Sequence, residues 1–327
     1  HLSGTIPSEV GLLHKLKDLS LSTNHLSGTI PSEVGLLLSL TGLSLSTNHL
    51  SGTIPSEVGI LSKLSHLHLS NNHLSGPIPT ELGRLSNLAV TLNLTSNVFT
   101  GTVPMELGMM TNIQRLDLSN NRLNVSMLHL GTSSSFNYLN FSHNDLTSFP
   151  FSQDWTNLEV LDLNKNQIYQ EVSVGLDSLS SMKDLLISNN FIYGTIPNTI
   201  RSLARLERLH IDNNNLFGTI PDDILSLVRL RELKLSYNRQ ERQCFNDYSE
   251  CGLDIEDYRG DDLCCSDKKN NKKAICSDKG GVEIEGSNFF CLTSALRGTI
   301  PAGFGNTPYM KVLEMSNNLL TGNIPPE

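Results

Sequence analysis

The chain has 327 residues, of which 38% are hydrophobic and only 6% aromatic, with a formal net charge of −9 and a sequence pI near 5.6. That acidic balance argues against a sequence-independent nucleic-acid binder and against a basic membrane-surface protein. No apolar run approaches the ~20 residues that a membrane helix needs, and no secretory leader is read, because His1 already lies inside a repeat.

In chain order, His1-Leu2-Ser3-Gly4-Thr5-Ile6-Pro7 reads as the tail of a unit whose first half would lie upstream. The first whole unit carries Leu16, Leu19, Leu21, Asn24, Leu26, Gly28, Ile30 and Pro31. The same skeleton recurs 24 residues later as Leu40, Leu43, Leu45, Asn48, Leu50, Gly52, Ile54 and Pro55. Alternating leucines predict a short strand with one face turned inward. The asparagine can satisfy backbone groups that an apolar residue would leave unpaired. Gly52 permits one tight bend and Pro55 fixes the next, after which Val58 and Leu61 turn inward and close the coil. One such coil buries too little apolar surface to offset the ordering of its backbone, so stacking on neighbours must supply the rest.

Further ladder asparagines follow at Asn72, Asn97, Asn121, Asn144, Asn166, Asn190, Asn214, Asn238 and Asn318. The fourth unit has one residue more, within Leu88-Ala89-Val90-Thr91-Leu92, which predicts a bulge at the strand entry. The fifth to seventh units shorten and lose the Gly-x-Ile-Pro turn, with Ser148-Phe149-Pro150 in its place, so the convex side should change shape there. The turn returns at Gly194–Pro197 and Gly218–Pro221. After Asn238 it fails, and it resumes at Leu296–Pro301, about 56 residues late. The expected organisation is a solenoid of about ten coils of 22–25 residues over 1–238, a cysteine-rich insertion over 239–295, and a resumed solenoid over 296–327. Its last coil is cut at Ile324-Pro325-Pro326-Glu327, and we expect the chain to be a segment of something longer.

The spelling Ser27-Gly28-Thr29-Ile30-Pro31-Ser32-Glu33-Val34-Gly35 resembles the plant-type leucine-rich repeat. That repeat is found in the ectodomains of receptor-like kinases and receptor-like proteins, and in secreted polygalacturonase inhibitors. The resemblance covers nearly everything outside 239–295. It implies an α/β solenoid: a right-handed superhelix with parallel strands on the concave face and little regular helix. It also implies an extracellular location and recognition of peptides, small hormones or partner proteins. Some such receptors carry an island domain between late repeats that helps form the ligand site. The insertion here resembles one in position and size only.

All six cysteines, Cys244, Cys251, Cys264, Cys265, Cys276 and Cys291, fall in the insertion. An even number in a short polar segment reads as a disulfide framework made in an oxidising compartment, with fifteen pairings open. Adjacent Cys264 and Cys265 should take different partners. With no Cys-x-x-Cys and no histidine in the segment, it is not read as a metal site. Its Asp254, Glu256, Asp257, Asp261 and Asp262 lack calcium-loop spacing and read as a solvated charged loop.

The outward strand positions carry the candidate ligand site. They are small in the early units, with Ser20, Ser22, Thr23, Ser44, Ser46 and Thr47. From Arg115 and Asp117 onward they become large and varied. The candidates are Tyr138, Asp162, Lys165, Asp184, Arg208, His210, Asp212, Lys234, Tyr237 and Glu314. Tyrosine and arginine are favoured in recognition, and the Arg208–Tyr237 cluster lies nearest the insertion. Sequons at Asn93, Asn124 and Asn140 are candidate glycosylation sites. Glycans on Asn93 and Asn140 would crowd the early concave face and push binding toward the later coils. His25, His49 and His73 are one repeat position copied, and His66 and His68 lack acidic or thiol partners in neighbouring coils.

No nucleophile elbow, phosphate loop or kinase signature occurs, so no catalytic residue, metal or cofactor is expected, and any kinase would lie outside this segment. The expected function is an extracellular recognition module of a receptor-like protein or kinase. It would bind a peptide, small ligand or partner protein on the late concave face and insertion, with a co-receptor as a second partner. The alternative is a secreted inhibitor of cell-wall-degrading enzymes. Ice binding ranks third: Ser3, Ser27 and Ser51 with Thr5, Thr29 and Thr53 recur once per coil, ~4.8 Å apart, until Pro77 interrupts the row.

Overall fold

The computed structural model describes residues 1–124, 130, 135–149, 155–172, 176–238, 243–246, 264–267, 272–275, 289–292, 295–304 and 307–325. Cys251, Cys276, the acidic residues at 254–262 and positions 125–126 of the second sequon lie outside them.

Each unit contributes one short strand to a parallel sheet of 11 strands among the described residues, running in chain order from Asp18–Ser20 to Val312–Glu314. Every strand carries the repeat's leucine as its next-to-last residue, and in the first strands the register is straight: Leu19 faces Leu43, which faces Leu67. Leu43, Leu67, Leu92, Leu116, Leu139, Leu161, Leu185, Leu209 and Leu233 are all buried. The alternating pattern therefore does what it predicts, with one face of the sheet in the core and the other on the concave surface.

The chain leaves each strand through a residue in the left-handed region, such as Thr47 at φ 57°, Asn120 at 55° and Tyr237 at 56°. The ladder asparagine follows. Asn144 donates from Nδ2 to the carbonyls of Leu118, Phe141 and Ser142 at 3.0, 3.0 and 3.3 Å, and its Oδ1 accepts from the Leu123 N–H at 3.0 Å. One side chain thus satisfies backbone groups in the preceding coil as well as in its own, which is why the position tolerates little else.

A second parallel sheet runs along the flank as Ser3–Thr5, His25–Thr29, His49–Gly52, His73–Gly76, Val98–Gly101 and Arg122–Leu123. Among the described residues its regular strands stop where the Gly-x-Ile-Pro turn is lost, while single backbone bonds such as Asp145 N–H to the Leu123 carbonyl at 2.9 Å continue from coil to coil. It re-forms as Tyr193–Gly194 with Asn215–Leu216, and as Gly218–Thr219 with Leu296–Gly298 and Leu319–Leu320. Short 3-10 helices close the coils, and wherever the Gly-x-Ile-Pro turn is kept its proline precedes them, as Pro31 does Ser32–Leu36 and Pro55 does Ser56–Ile60. No α-helix occurs among the described residues, and no helix is long and apolar enough to cross a membrane.

In the irregular middle coils aromatic rings replace aliphatic packing. Phe136, Phe141, Phe149 and Trp155 are fully buried, with Phe149 centred 5.8 Å from Phe141 and 5.5 Å from Trp155. The extra residue of the fourth coil is absorbed at the strand entry, as its length predicts. Pairing jumps from Ile113 opposite Val90 to Arg115 opposite Thr91, and Val90 is pushed to φ 40°.

Across the insertion the solenoid joins directly. Glu232–Lys234 pairs with Val312–Glu314, and the Asn318 Nδ2 donates to the Leu235 carbonyl at 2.9 Å. Within the insertion, Gln243–Asn246 runs antiparallel to Phe289–Leu292, and Cys264–Asp267 antiparallel to Lys272–Ile275.

Candidate functional site

Straight register sorts the outward side chains of the concave sheet into two rows. The first runs Arg115, Tyr138, Val160, Asp184, Arg208, Glu232 and Val312. Beside it runs a second row of Asp117, Asn140, Asp162, Leu186, His210, Lys234 and Glu314. Seven of the ten candidates lie on these strands: Tyr138, Asp162, Asp184, Arg208, His210, Lys234 and Glu314. Lys165 and Tyr237 instead occupy the left-handed exit position, and Asp212 lies just past its strand.

Four of the charged candidates pair with one another, and His210 pairs with Glu232. Arg208 clamps Asp184 through two hydrogen bonds, Nε to Oδ1 at 2.6 Å and Nη2 to Oδ2 at 2.8 Å. That bonding raises the guanidinium pKa above its ordinary value. His210 Nε2 lies 2.9 Å from Glu232 Oε2, and Lys234 Nζ lies 3.3 Å from Glu314 Oε1. At the strand entries Lys183 meets Glu159 at 2.8 Å and Arg231 meets Glu207 at 3.1 Å. Opposite charges on adjacent strands fall face to face and stabilise the sheet locally. Glu232 was not singled out in the sequence, although it completes the His210 pair. Partners 24 residues apart, such as Glu159 with Lys183 and Asp184 with Arg208, are legible once the repeat length is known.

The upstream end of the face is different. The Arg115 guanidinium carbon sits 4.0 Å from the centre of the Tyr138 ring, a cation–π contact. Burial pushes the Tyr138 phenol pKa upward, and the Asp117 charge adds to it. Asp162 accepts the Asn164 N–H at 3.0 Å. Its carboxyl pKa is raised, chiefly by burial, with the Asp117 charge contributing. Leu186, outward yet buried, stands between Asp162 and His210 and divides the row. Asp212 accepts from the Ser188 hydroxyl at 2.5 Å and from Asn213 Nδ2 at 2.9 Å. Tyr237 presents its ring at the exit edge, 54% exposed.

The sequon residues Asn93 and Asn140 lie on this concave sheet, half-buried, while Asn124 is exposed. Asn140 is bonded into the site: its Oδ1 accepts from the Ser142 N–H and hydroxyl at 3.0 and 2.8 Å, and its Nδ2 donates to Asp117 at 3.4 Å and to the Tyr138 oxygen at 3.3 Å. A glycan attaches at Nδ2, so on Asn140 it would have to displace at least one of the two Nδ2 bonds while leaving the Oδ1 acceptor in place.

The early face is simpler, with Ser20, Gly42 and Ser44 beside Asp18, His66 and His68. Ser22 bonds Ser44 at 2.8 Å and Ser70 bonds Ser46 at 3.2 Å, hydroxyl to hydroxyl. On the flank, the hydroxyls of Ser27, Ser51 and Ser75 donate to the carbonyls of Gly4, Gly28 and Gly52 at 3.4, 3.3 and 3.4 Å. Next to them His1, His25, His49 and His73 stack 5.8, 5.9 and 5.8 Å apart. Among the described residues no three histidine, cysteine or acidic side chains converge to hold a metal.

A family profile described as Leucine Rich Repeat matches residues 15–37, 39–61, 63–85 and 205–227. A plant ice-binding protein of known structure shares 32% identity, covering 67% of this chain and 71% of that one, with a TM-score of 0.57. The chain belongs to the leucine-rich repeat family. Plant receptors share its fold over almost the whole length. The ectodomain of the Arabidopsis thaliana membrane receptor kinase GASSHO1/SCHENGEN3, solved in complex with Casparian strip integrity factor 2, is 26% identical over 99% of this chain, with a TM-score of 0.70. The PEPR1–AtPEP1 structure is 27% identical over 99%, with a TM-score of 0.71. This leucine-rich repeat chain spans 35% of the first receptor chain and 41% of the second. No curated protein sequence matches it.

Proposed function

We propose that the chain is the recognition segment of an extracellular, receptor-like leucine-rich repeat protein, and that its late concave face binds a peptide or partner protein. One observation carries the reading. The concave surface changes from early strands bearing mostly small side chains, with Asp18, His66 and His68 among them, to strands bearing Arg208, His210, Glu232, Lys234 and Tyr237 within two neighbouring coils. Stability does not require that change, since the early coils pack the same leucine core beneath serines. Paired charges on a rigid sheet supply preorganised donors and acceptors, and the exposed Tyr237 supplies an amphipathic anchor. The likeness to receptor ectodomains solved with their partners supports the same reading.

The test is to select peptides by display against the immobilised chain and titrate them. Replacing Arg208 and His210 by glutamine and Tyr237 by alanine should weaken the selected peptides at least tenfold while leaving Tm in place. Glutamine keeps a donor for Asp184 and Glu232, so a loss of fold is not the expected cost. Undiminished affinity for the triple variant, or no enriched peptide, would overturn the proposal.

A second reading is favoured by the 32% identity to the plant ice-binding protein and by the hydroxyl row repeating once per coil. Its weakness is that the Ser27, Ser51 and Ser75 hydroxyls already donate to neighbouring carbonyls. A freezing assay without thermal hysteresis removes it.

A further inference from the structure

A groove of about 760 Å³ runs along the edge where the central strands begin, apart from the Arg208–Tyr237 cluster. Its size falls within the range of small-ligand sites. Five carboxamides line it: Asn87, Asn112, Gln114, Asn137 and Asn157. Its carboxylate, Glu159, is held by Lys183 at 2.8 Å, so no uncompensated charge faces the space. Asn87 and Asn112 each donate from Nδ2 to a turn carbonyl, of Ser62 and Ser86, at 2.7 Å, which fixes the orientation of both amides.

One feature is left without a structural purpose. The Oδ1 of Asn137 is buried and receives no hydrogen bond, although its Nδ2 reaches Gln114 Oε1 at 3.4 Å. A buried acceptor left unpaired costs about 1–3 kcal/mol. Val90, in the groove wall, is a β-branched residue held at φ 40° and 46% exposed.

We propose that this groove binds a neutral oligosaccharide. A carboxamide offers a donor and an acceptor side by side, which matches a pair of adjacent sugar hydroxyls. Asn87, Asn112 and Asn157 hold the same place in their coils and Ser135 holds it in the coil between Asn112 and Asn157, so the polar row advances by the strand spacing of ~4.8 Å, comparable to the length of a pyranose ring. Ala89 and Val90 give a small apolar wall for the C–H face of a ring. Turning the Asn137 amide toward the groove would let a ligand hydroxyl supply the hydrogen bond that its buried Oδ1 lacks. An ionic ligand finds no free partner here.

Calorimetric titration of the intact chain with cellohexaose, xylohexaose, laminarihexaose and mannohexaose tests the assignment. At least one should bind, with an affinity that does not change with salt. Gln114→Ala and Ala89→Trp should each weaken it tenfold or more; the second blocks the groove from an exposed position without removing a hydrogen-bonding side chain. Arg208→Gln should leave it unchanged. No binding by any of the four, binding that survives both groove substitutions, or a steep salt dependence would overturn the proposal. So would display-selected peptides that lose affinity to the same two substitutions.

Discussion

At the scale of single residues, the ladder asparagine is where sequence and stability meet most directly. Asn144→Ala would strand the Leu123 N–H and the carbonyls of Leu118 and Phe141, all in the buried turn. We expect a loss of roughly 2–4 kcal/mol in a denaturant melt, the range for leaving buried polar groups unpaired. Asp162 works in the opposite direction. Its folded pKa is raised, so the folded state holds its proton to higher pH than the unfolded state does. Stability from this group is therefore full below the ordinary carboxyl value of about 3.9, and falls as pH rises through the raised folded value. Asp162→Asn keeps an acceptor for the Asn164 N–H and abolishes the burial of a charge. It should raise Tm at pH 7 and leave it unchanged at pH 3. An equal effect at both values would refute the electrostatic account. The asparagine ladder was legible because its role is set by a position in the repeat. The raised pKa of Asp162 was not, because it depends on how deeply Asp117 and Leu186 enclose it.

Between residue and molecule lies the coil, where backbone approach sets the limits. Gly59 in the Ser56–Ile60 helix packs against the next coil so closely that a Cβ would overlap the Glu81 carbonyl. Gly59→Ala should destabilise by roughly 1–3 kcal/mol, the usual cost of overpacking, read as a lowered Tm. In the insertion, antiparallel register places Cys244 directly opposite Cys291. Such partners have Cα atoms ~4.5–5.5 Å apart, inside the ~4.4–6.8 Å range of disulfides. Of the fifteen pairings open in the sequence, we therefore expect one that contains a Cys244–Cys291 bridge closing the base of the insertion. Peptide mapping under non-reducing conditions checks it, and either cysteine linked elsewhere would exclude it. The strands of the concave sheet and the bulge at Val90 could be read from spacing alone. The two hairpin-like pairs in the insertion could not, because that stretch has no repeat to align.

For the whole molecule, the repeat predicted a solenoid and the loss of Gly-x-Ile-Pro predicted an altered middle. The structure gives that alteration a form: the flank sheet ends at Arg122–Leu123 and restarts at Tyr193–Gly194, while the concave sheet passes without a gap. The charged concave candidates were found as a surface, but not as pairs, since a list of outward positions carries no distances. Had the ion pairs been free, salt would affect ligand affinity more than it affects fold. With Asp184 and Arg208 already joined, we expect selected peptides to bind with only weak salt dependence.

The interrupted flank sheet also has a mechanical consequence. Two parallel ladders tie neighbouring coils over the first five strands of the array, like a fabric stitched along both hems. In the middle, among the described residues, the flank hem loses its regular strands and keeps single backbone bonds, Asp145 N–H to the Leu123 carbonyl, Gln167 N–H to that of Leu146 and Phe191 N–H to that of Ile168, each 2.9 Å, while the aromatic packing of Phe141, Phe149 and Trp155 shares the load. Pulled from its ends, the chain should part there first, and under thermal motion the same place should act as the bend that sets how far the early and late concave faces stand apart.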